Sequence, residues 1–166
     1  MIGPERLGAI FDAHAANLVL FARQWCDGTT AEDVVQEAFL SLAKQSEAPV
    51  EVAAWLHRAV RNGAVSAFRG KTRRQRREGA VAVGEACFAR TDDQIDAREA
   101  TRLLEGLPPE NREVIVTRTW GGLSFDQIGR LQGCSTATAF RRYREGLALL
   151  QERMGRPCPN TNSATT

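Results

Sequence analysis

Between residues 53 and 77 the chain carries eight basic side chains and no acidic one. At about 100° per residue on a helix, Arg58, Arg61, Asn62, Arg69, Arg73 and Arg76 fall in one sector. Leu56, Val60, Gly63 and Ala67 fall in the opposite sector. One side of such a helix is built for packing and the other for anions. Guanidinium groups in a row neutralise successive phosphates. Trp55 projects near the edge of the basic sector, and an aromatic beside arginines suits base stacking as well as phosphate contact. The plainer alternatives are a core anchor for Trp55 and a solubilising surface for the arginines. The second leaves the missing carboxylates unexplained, because solvated helices usually mix signs.

A second constellation lies near the C-terminal end. Ser124 to Leu131 reads as a short helix, Gln132-Gly133-Cys134 as a turn, and Ser135 as the cap of a longer helix. Gly129 is small where the two helices must approach closely, and Gly133 permits the turn. Ala139, Tyr143, Gly146, Leu147 and Leu150 share an inner face, with Phe140 at its rim and assigned to the core. Ser135, Thr136, Ala137 and Thr138 occupy the start of the helix. Thr138, Arg141, Arg142 and Arg144 point outward. Short side chains and arginines at the leading end of the second helix are the layout of a major-groove reader. Paired antiparallel helices with a glycine turn also occur without DNA.

Residues 27–52 hold one basic and six acidic groups. Asp33, Gln36 and Glu37 share one helix face there, which suits a basic partner surface. Acids favouring a helix N-terminus account for Glu32 and Asp33 but not for Glu37. No catalytic set is visible. His14 and His57 lack metal-ligand spacing, and the acids of residues 32–37 have no companion histidine motif. Cys26, Cys87, Cys134 and Cys158 form no CxxC pair, so no zinc site or disulfide framework is expected. Cys134 reads as a small buried hydrophobe. The expectation is no enzyme, no metal and no cofactor.

The elements that must position these groups read as helices. The chain has 166 residues, 43% hydrophobic and 25% charged, with a net charge of only +2. That total does not predict nucleic-acid binding, but its distribution in blocks does point to two contacts with a polyanion. No apolar run reaches the roughly 20 residues of a membrane helix. Met-Ile-Gly-Pro-Glu-Arg gives no secretory start, so a cytosolic (cytoplasmic) protein is expected. Pro4 opens a first helix to about Trp25, with Leu7, Ile10, Phe11, His14, Leu18 and Phe21 at helical spacing. Asp27-Gly28 breaks it. Thr30 and Asp33 have capping-box spacing and start a second helix, to about Lys44. A third covers about Val52 to Arg74. Residues 78–91 read as a linker. Asp92 or Asp93 caps a fourth helix ending near Gly106. Pro108-Pro109 starts a fifth, Trp120 to Leu123 is a turn, Ser124 caps a sixth, and Ser135 starts a seventh reaching Met154. The tail from Pro157 reads as disordered. The fold class is therefore all-α, as two small helical domains joined by a flexible linker.

Four segments together resemble the extracytoplasmic-function group of bacterial sigma factors, in the sigma-70 family. They are Ala31-Glu32-Asp33-Val34-Val35-Gln36-Glu37-Ala38-Phe39-Leu40, Ala54-Trp55-Leu56-His57-Arg58-Ala59-Val60-Arg61-Asn62, Leu107-Pro108-Pro109-Glu110-Asn111-Arg112-Glu113-Val114, and Leu123-Ser124-Phe125-Asp126-Gln127-Ile128-Gly129. The resemblance implies a region 2-like domain over 1–77, a linker over 78–91, a region 4-like domain over 92–154 and a disordered tail over 155–166. It implies that Asp33, Gln36 and Glu37 dock on the beta-prime clamp helices of core RNA polymerase, with the beta flap as a further contact. It implies that Trp55, Arg58, Arg61, Asn62, Arg69 and Arg73 engage the minus-ten promoter element. Ser135, Thr136, Ala137, Thr138, Arg141, Arg142 and Arg144 would engage the minus-thirty-five element. An anti-sigma factor is a further candidate partner. Ser66 stands where the family commonly has aspartate. The competing reading is a stand-alone helix-turn-helix regulator, which would bind its operator unaided as a dimer.

Overall fold

The computed structural model describes residues 2–77 and 102–154, and all regular structure among them is helical. Helix α1 spans Pro4–Ala22, opened by proline in its first turn. It ends a few residues before Trp25, in a turn. Helix α2 spans Gly28–Ala43. Its cap is Asp27, whose carboxylate accepts the Thr30 N–H at 3.0 Å, and not Thr30 as the sequence spacing suggested. The Thr30–Asp33 spacing lacks the Glu or Gln that a reciprocal box requires. Helix α3 spans Val52–Arg77, 26 residues and about 39 Å, a turn longer than expected. A helical turn, α4, covers residues 102–105. Its expected cap at Asp92 or Asp93 lies outside the described residues, as do the linker and the tail.

Helix α5 spans Pro109–Thr119, again with proline in the first turn. Gly122, at φ 67°, makes the turn that follows. Helix α6 spans Phe125–Gln132 behind a full capping box, Ser124 with Gln127. Gly133, at φ 69° in the left-handed region, ends α6 as expected. Helix α7 spans Thr136–Met154. Ser135 caps it, its hydroxyl accepting the Thr138 N–H at 3.1 Å.

Helices α1 to α3 bury Leu18, Phe21, Val35, Leu42, Leu56 and Val60 in one cluster. Each such side chain contributes about 1.5–3 kcal/mol of transfer free energy. Phe21 meets both Trp25 and His57 edge-on, with ring centroids 5.0 Å apart. Gly63 lets α3 press on α2, since a β-carbon there would stand 2.8 Å from Val34 Cγ1. The C-terminal helices bury Val114, Leu123, Ile128 and Ala139 in a second cluster, and Leu104, Leu107 and Ile115 in a third. Gly129 is where α6 and α7 meet, with the position of a β-carbon 2.8 Å from the Cys134 carbonyl oxygen. Leu147 is not on the inner face as expected. It is 37% exposed, and Leu149 packs inward with Leu150 instead.

The two helical units are packed against each other. Val116 of α5 and Leu131 of α6 join the α1–α3 cluster, and Ala53 and Ala54 of α3 pack on the cluster around Val114.

Candidate nucleic-acid interface

Helix α3 carries most of its arginines at the surface. Arg58, Asn62, Arg69, Arg73 and Arg76 are exposed. Arg61, Asn62, Ser66, Arg69, Arg73, Arg74 and Arg77 line an open groove of about 730 Å³, and no carboxylate belongs to its lining. Five guanidinium groups around an acid-free groove make a strong local positive field. Arg76 lies outside this lining. Arg58 stands apart as well, beside Glu51, Gln127 and Arg130 around a small cleft between the two units. Trp55 is half-buried and packs against the α1–α3 cluster, so it serves the core on one side and is open on the other. Arg61 is engaged. Its Nε donates to Glu113 Oε1 at 2.6 Å.

Helix α7 places Ser135, Thr136, Ala137, Arg141 and Arg144 at the surface, with Thr138 half-buried. Arg141 faces Glu145 one turn on, at 3.6 Å. Arg142 departs from the expected outward position. It is half-buried, its Nη1 donates to Gln132 Oε1 at 2.8 Å, and its carbonyl oxygen accepts Asn111 Nδ2 at 2.8 Å. Gln132, at the end of α6, thus draws the side chain back toward the turn. Phe140 is not core. It is 47% exposed and meets Phe125 edge-on at 5.2 Å. Cys134 is half-buried beside the second cluster, with its sulfur 3.7 Å from Arg142 Nη1.

Asp33, Gln36 and Glu37 are all exposed on α2. Beside them runs an apolar groove of about 460 Å³ between α1 and α2, lined by Leu7, Phe11, Gln36, Phe39 and Leu40 among others. Leu40 is 55% exposed and Phe11 44%. Neither was read from the sequence as a surface group. The available signal was Leu40's place on the face of Gln36 and Glu37, four and three residues on.

Burial sets the remaining titratable groups. His57 is buried, and its Nδ1 lies 2.9 Å from the Ala53 carbonyl oxygen. A carbonyl only accepts, so the neutral ring keeps its proton on Nδ1. Desolvation lowers its pKa below the ordinary histidine value despite that bond, and His14 adds to the lowering. Desolvation raises the Cys26 thiol to about 11, helped by Asp27 and opposed by Lys71. The Asp27 carboxyl is held below its usual value, chiefly by the Thr30 N–H. Among the described residues no group of His, Cys, Asp or Glu is placed to hold a metal ion. No described helix is long and apolar enough to cross a membrane.

The family model for Sigma-70 region 2 matches residues 10–74, and that for Sigma-70, region 4 matches residues 97–150. The chain belongs to the sigma-70 family. Among its relatives, RNA polymerase sigma factor CarQ of Myxococcus xanthus is 32% identical over 156 residues, 88% of this chain and 87% of CarQ. The fold is shared with sigma factor RpoE from Bartonella quintana, solved with the anti-sigma factor NepR. That likeness has a TM-score of 0.70 at 22% identity, over 90% of this chain and 98% of RpoE. CnrH, solved with the cytosolic domain of CnrY, gives a TM-score of 0.64 at 22% identity, over 92% and 89% of the two chains. The protein is thus a sigma factor of the extracytoplasmic-function type and not a stand-alone regulator. Region 2 covers most of α1 to α3, and region 4 takes in α5, α6 and most of α7.

Proposed function

We propose that this sigma factor joins core RNA polymerase through α2 and carries it to promoters that it reads at two places. Asp33, Gln36 and Glu37 supply charge toward the beta-prime clamp helices, and the adjoining apolar groove around Phe11 and Leu40 supplies buried area. The α3 groove takes the minus-ten element, with Arg61, Asn62, Arg69 and Arg73 on the strand and Arg58 and Trp55 at its upstream edge. The exposed start of α7, from Ser135 to Thr138 with Arg141 and Arg144, reads the minus-thirty-five element, and region 4 also meets the beta flap. Arg142 contributes by fixing the turn. The domains are 1–77 and 92–154, and the protein works in the cytoplasm without catalysis of its own.

The observation that carries this reading is the arginine groove free of carboxylates on the region 2 helix. Unstacking DNA costs on the order of 1–2 kcal/mol per step. With no nucleotide-hydrolysis motif in the sequence, that energy comes from binding the separated strand more tightly than the duplex. In vitro transcription with core polymerase on a genomic promoter library tests it. Transcripts should appear only with this protein present. Arg69→Ala with Arg73→Ala should lower open-complex formation and leave core binding intact. Asp33→Lys with Glu37→Lys should lower copurification with core enzyme. Tight operator binding without polymerase, and no stimulated transcript, would overturn the proposal.

A further inference from the structure

Among the described residues, Arg61 is the groove arginine tied to the other half of the molecule. Its Nε lies 2.6 Å from Glu113 Oε1 and its Nη2 3.5 Å from Oε2. The Glu113 side chain is 4% exposed and that of Arg61 32%. Oε2 of Glu113 also accepts Gln132 Nε2 at 3.0 Å, and Gln132 Oε1 in turn accepts Arg142 Nη1 at 2.8 Å. One hydrogen-bonded chain therefore links the α3 groove to the start of α7. A second polar contact closes the same seam. Glu51, just before α3, accepts Gln127 Nε2 at 2.9 Å and Arg130 Nη1 at 3.3 Å. The α3 residues that pack on the second cluster along this seam are the small Ala53 and Ala54.

We infer that this seam is a latch in which Glu113 withholds Arg61 from DNA until the two helical units part. The inference rests on the reading of α3 as the minus-ten helix. A guanidinium that turns its Nε and one terminal nitrogen to a buried carboxylate has given up its side-on edge for a phosphate, and its charge is already paired. A phosphate that takes up this edge of Arg61 must displace Glu113, and the buried Glu113 is shielded from solvent while the seam is closed. Parting the units leaves Glu113 bonded to Gln132, so Arg142 keeps its support. Opening therefore frees the minus-ten arginine without disturbing the recognition helix.

The test uses the full chain without polymerase. Glu113→Gln removes the charge that holds Arg61. Glu51→Gln weakens the seam from its exposed end without touching the C-terminal bundle, and Glu47→Gln is the charge-matched control. Small-angle scattering reads the radius of gyration, anisotropy reads affinity for a single-stranded oligonucleotide, and circular dichroism verifies helix content. Both seam variants should expand relative to wild type and to the control. Glu113→Gln should bind the oligonucleotide about threefold tighter. Adding Arg61→Ala should abolish that gain. Unchanged dimensions in both folded variants would overturn the latch, and so would expansion without an Arg61-dependent gain. A wild-type protein that stimulates no promoter-dependent transcription would instead overturn the promoter reading, with the scattering still judging the seam.

Discussion

The imidazole of His57 ends where Gly121 has no side chain. A β-carbon on Gly121 would stand 2.6 Å from His57 Nε2. His57 belongs to α3 and Gly121 to the turn after α5, so the ring is shut in from both halves of the protein. It also meets Phe21 of α1 edge-on.

That enclosure gives a pH dependence. The folded protein lowers the His57 pKa from the ordinary 6.5, mainly by desolvation. The unfolded chain therefore binds the extra proton first as pH falls. His57 adds its full stability above about pH 6.5, and the contribution declines below that value through the window down to the folded pKa. Urea unfolding between about pH 7.5 and 5.5 should show stability falling with acid, and His57→Gln should flatten the slope. A slope equal to that of the wild type would show that other groups carry it.

Glycine substitutions should split in sign. Gly8 sits in α1 with nothing within 4 Å of where a β-carbon would stand, whereas Gly129 faces backbone at 2.8 Å. Gly8→Ala should stabilise by about 0.5–1 kcal/mol through the unfolded chain. Gly129→Ala should destabilise by about 1–3 kcal/mol, because the turn backbone must move. Chemical denaturation of both variants reads the difference directly.

The exposed arginines should act on DNA and not on folding. Arg69 and Arg73 are exposed on the groove wall. Replacing either with alanine should leave the melting temperature unchanged. Each should lower the slope of log affinity against log salt for single-stranded DNA by about 0.7. An unchanged slope would remove that arginine from the phosphate path.

Leu40 should matter to polymerase binding alone. At 55% exposure it contributes little to the α1–α2 packing. Leu40→Ser should weaken retention on immobilised core enzyme several-fold while the unfolding midpoint holds. Retention equal to the wild type would confine docking to the charged residues.

Cys26 should resist alkylation. Its thiol is buried, raised to about 11, and donates to the Ala22 carbonyl oxygen at 3.3 Å. At about pH 8 in native buffer, mass mapping should find the Cys26 peptide unmodified, and urea should make it reactive. Native labelling would mean that the α1–α2 corner opens readily.

The contrast between what was and was not legible in the sequence follows the range of the interactions. The Ser124–Gln127 box, the Gly133 turn and the proline starts of α1 and α5 are local, and they formed where their spacing placed them. The α2 cap lies three residues before the expected one because Asp27 and Thr30 both offer a side-chain oxygen near the helix start. Phe140 and Arg142 depart from their expected positions because helical angle alone cannot register Phe125 and Gln132 reaching across from α6. Glu51, Glu113 and Gly121 gave no sign of their role, since their partners lie in the other helical unit.

Helix α3 is unbroken from its packed start to its arginine-bearing end. Gly63 presses on Val34 of α2, and Arg77 lies fourteen residues farther along, about 21 Å away. A rod fixed at that pivot works as a lever. A tilt of about 5° where α2 is gripped moves the far arginine by nearly 2 Å, by the ordinary geometry of a rigid helix. On the proposed assignment, a partner that seized the acidic face of α2 would re-aim the cationic tip, joining machine attachment and template alignment in one mechanical act.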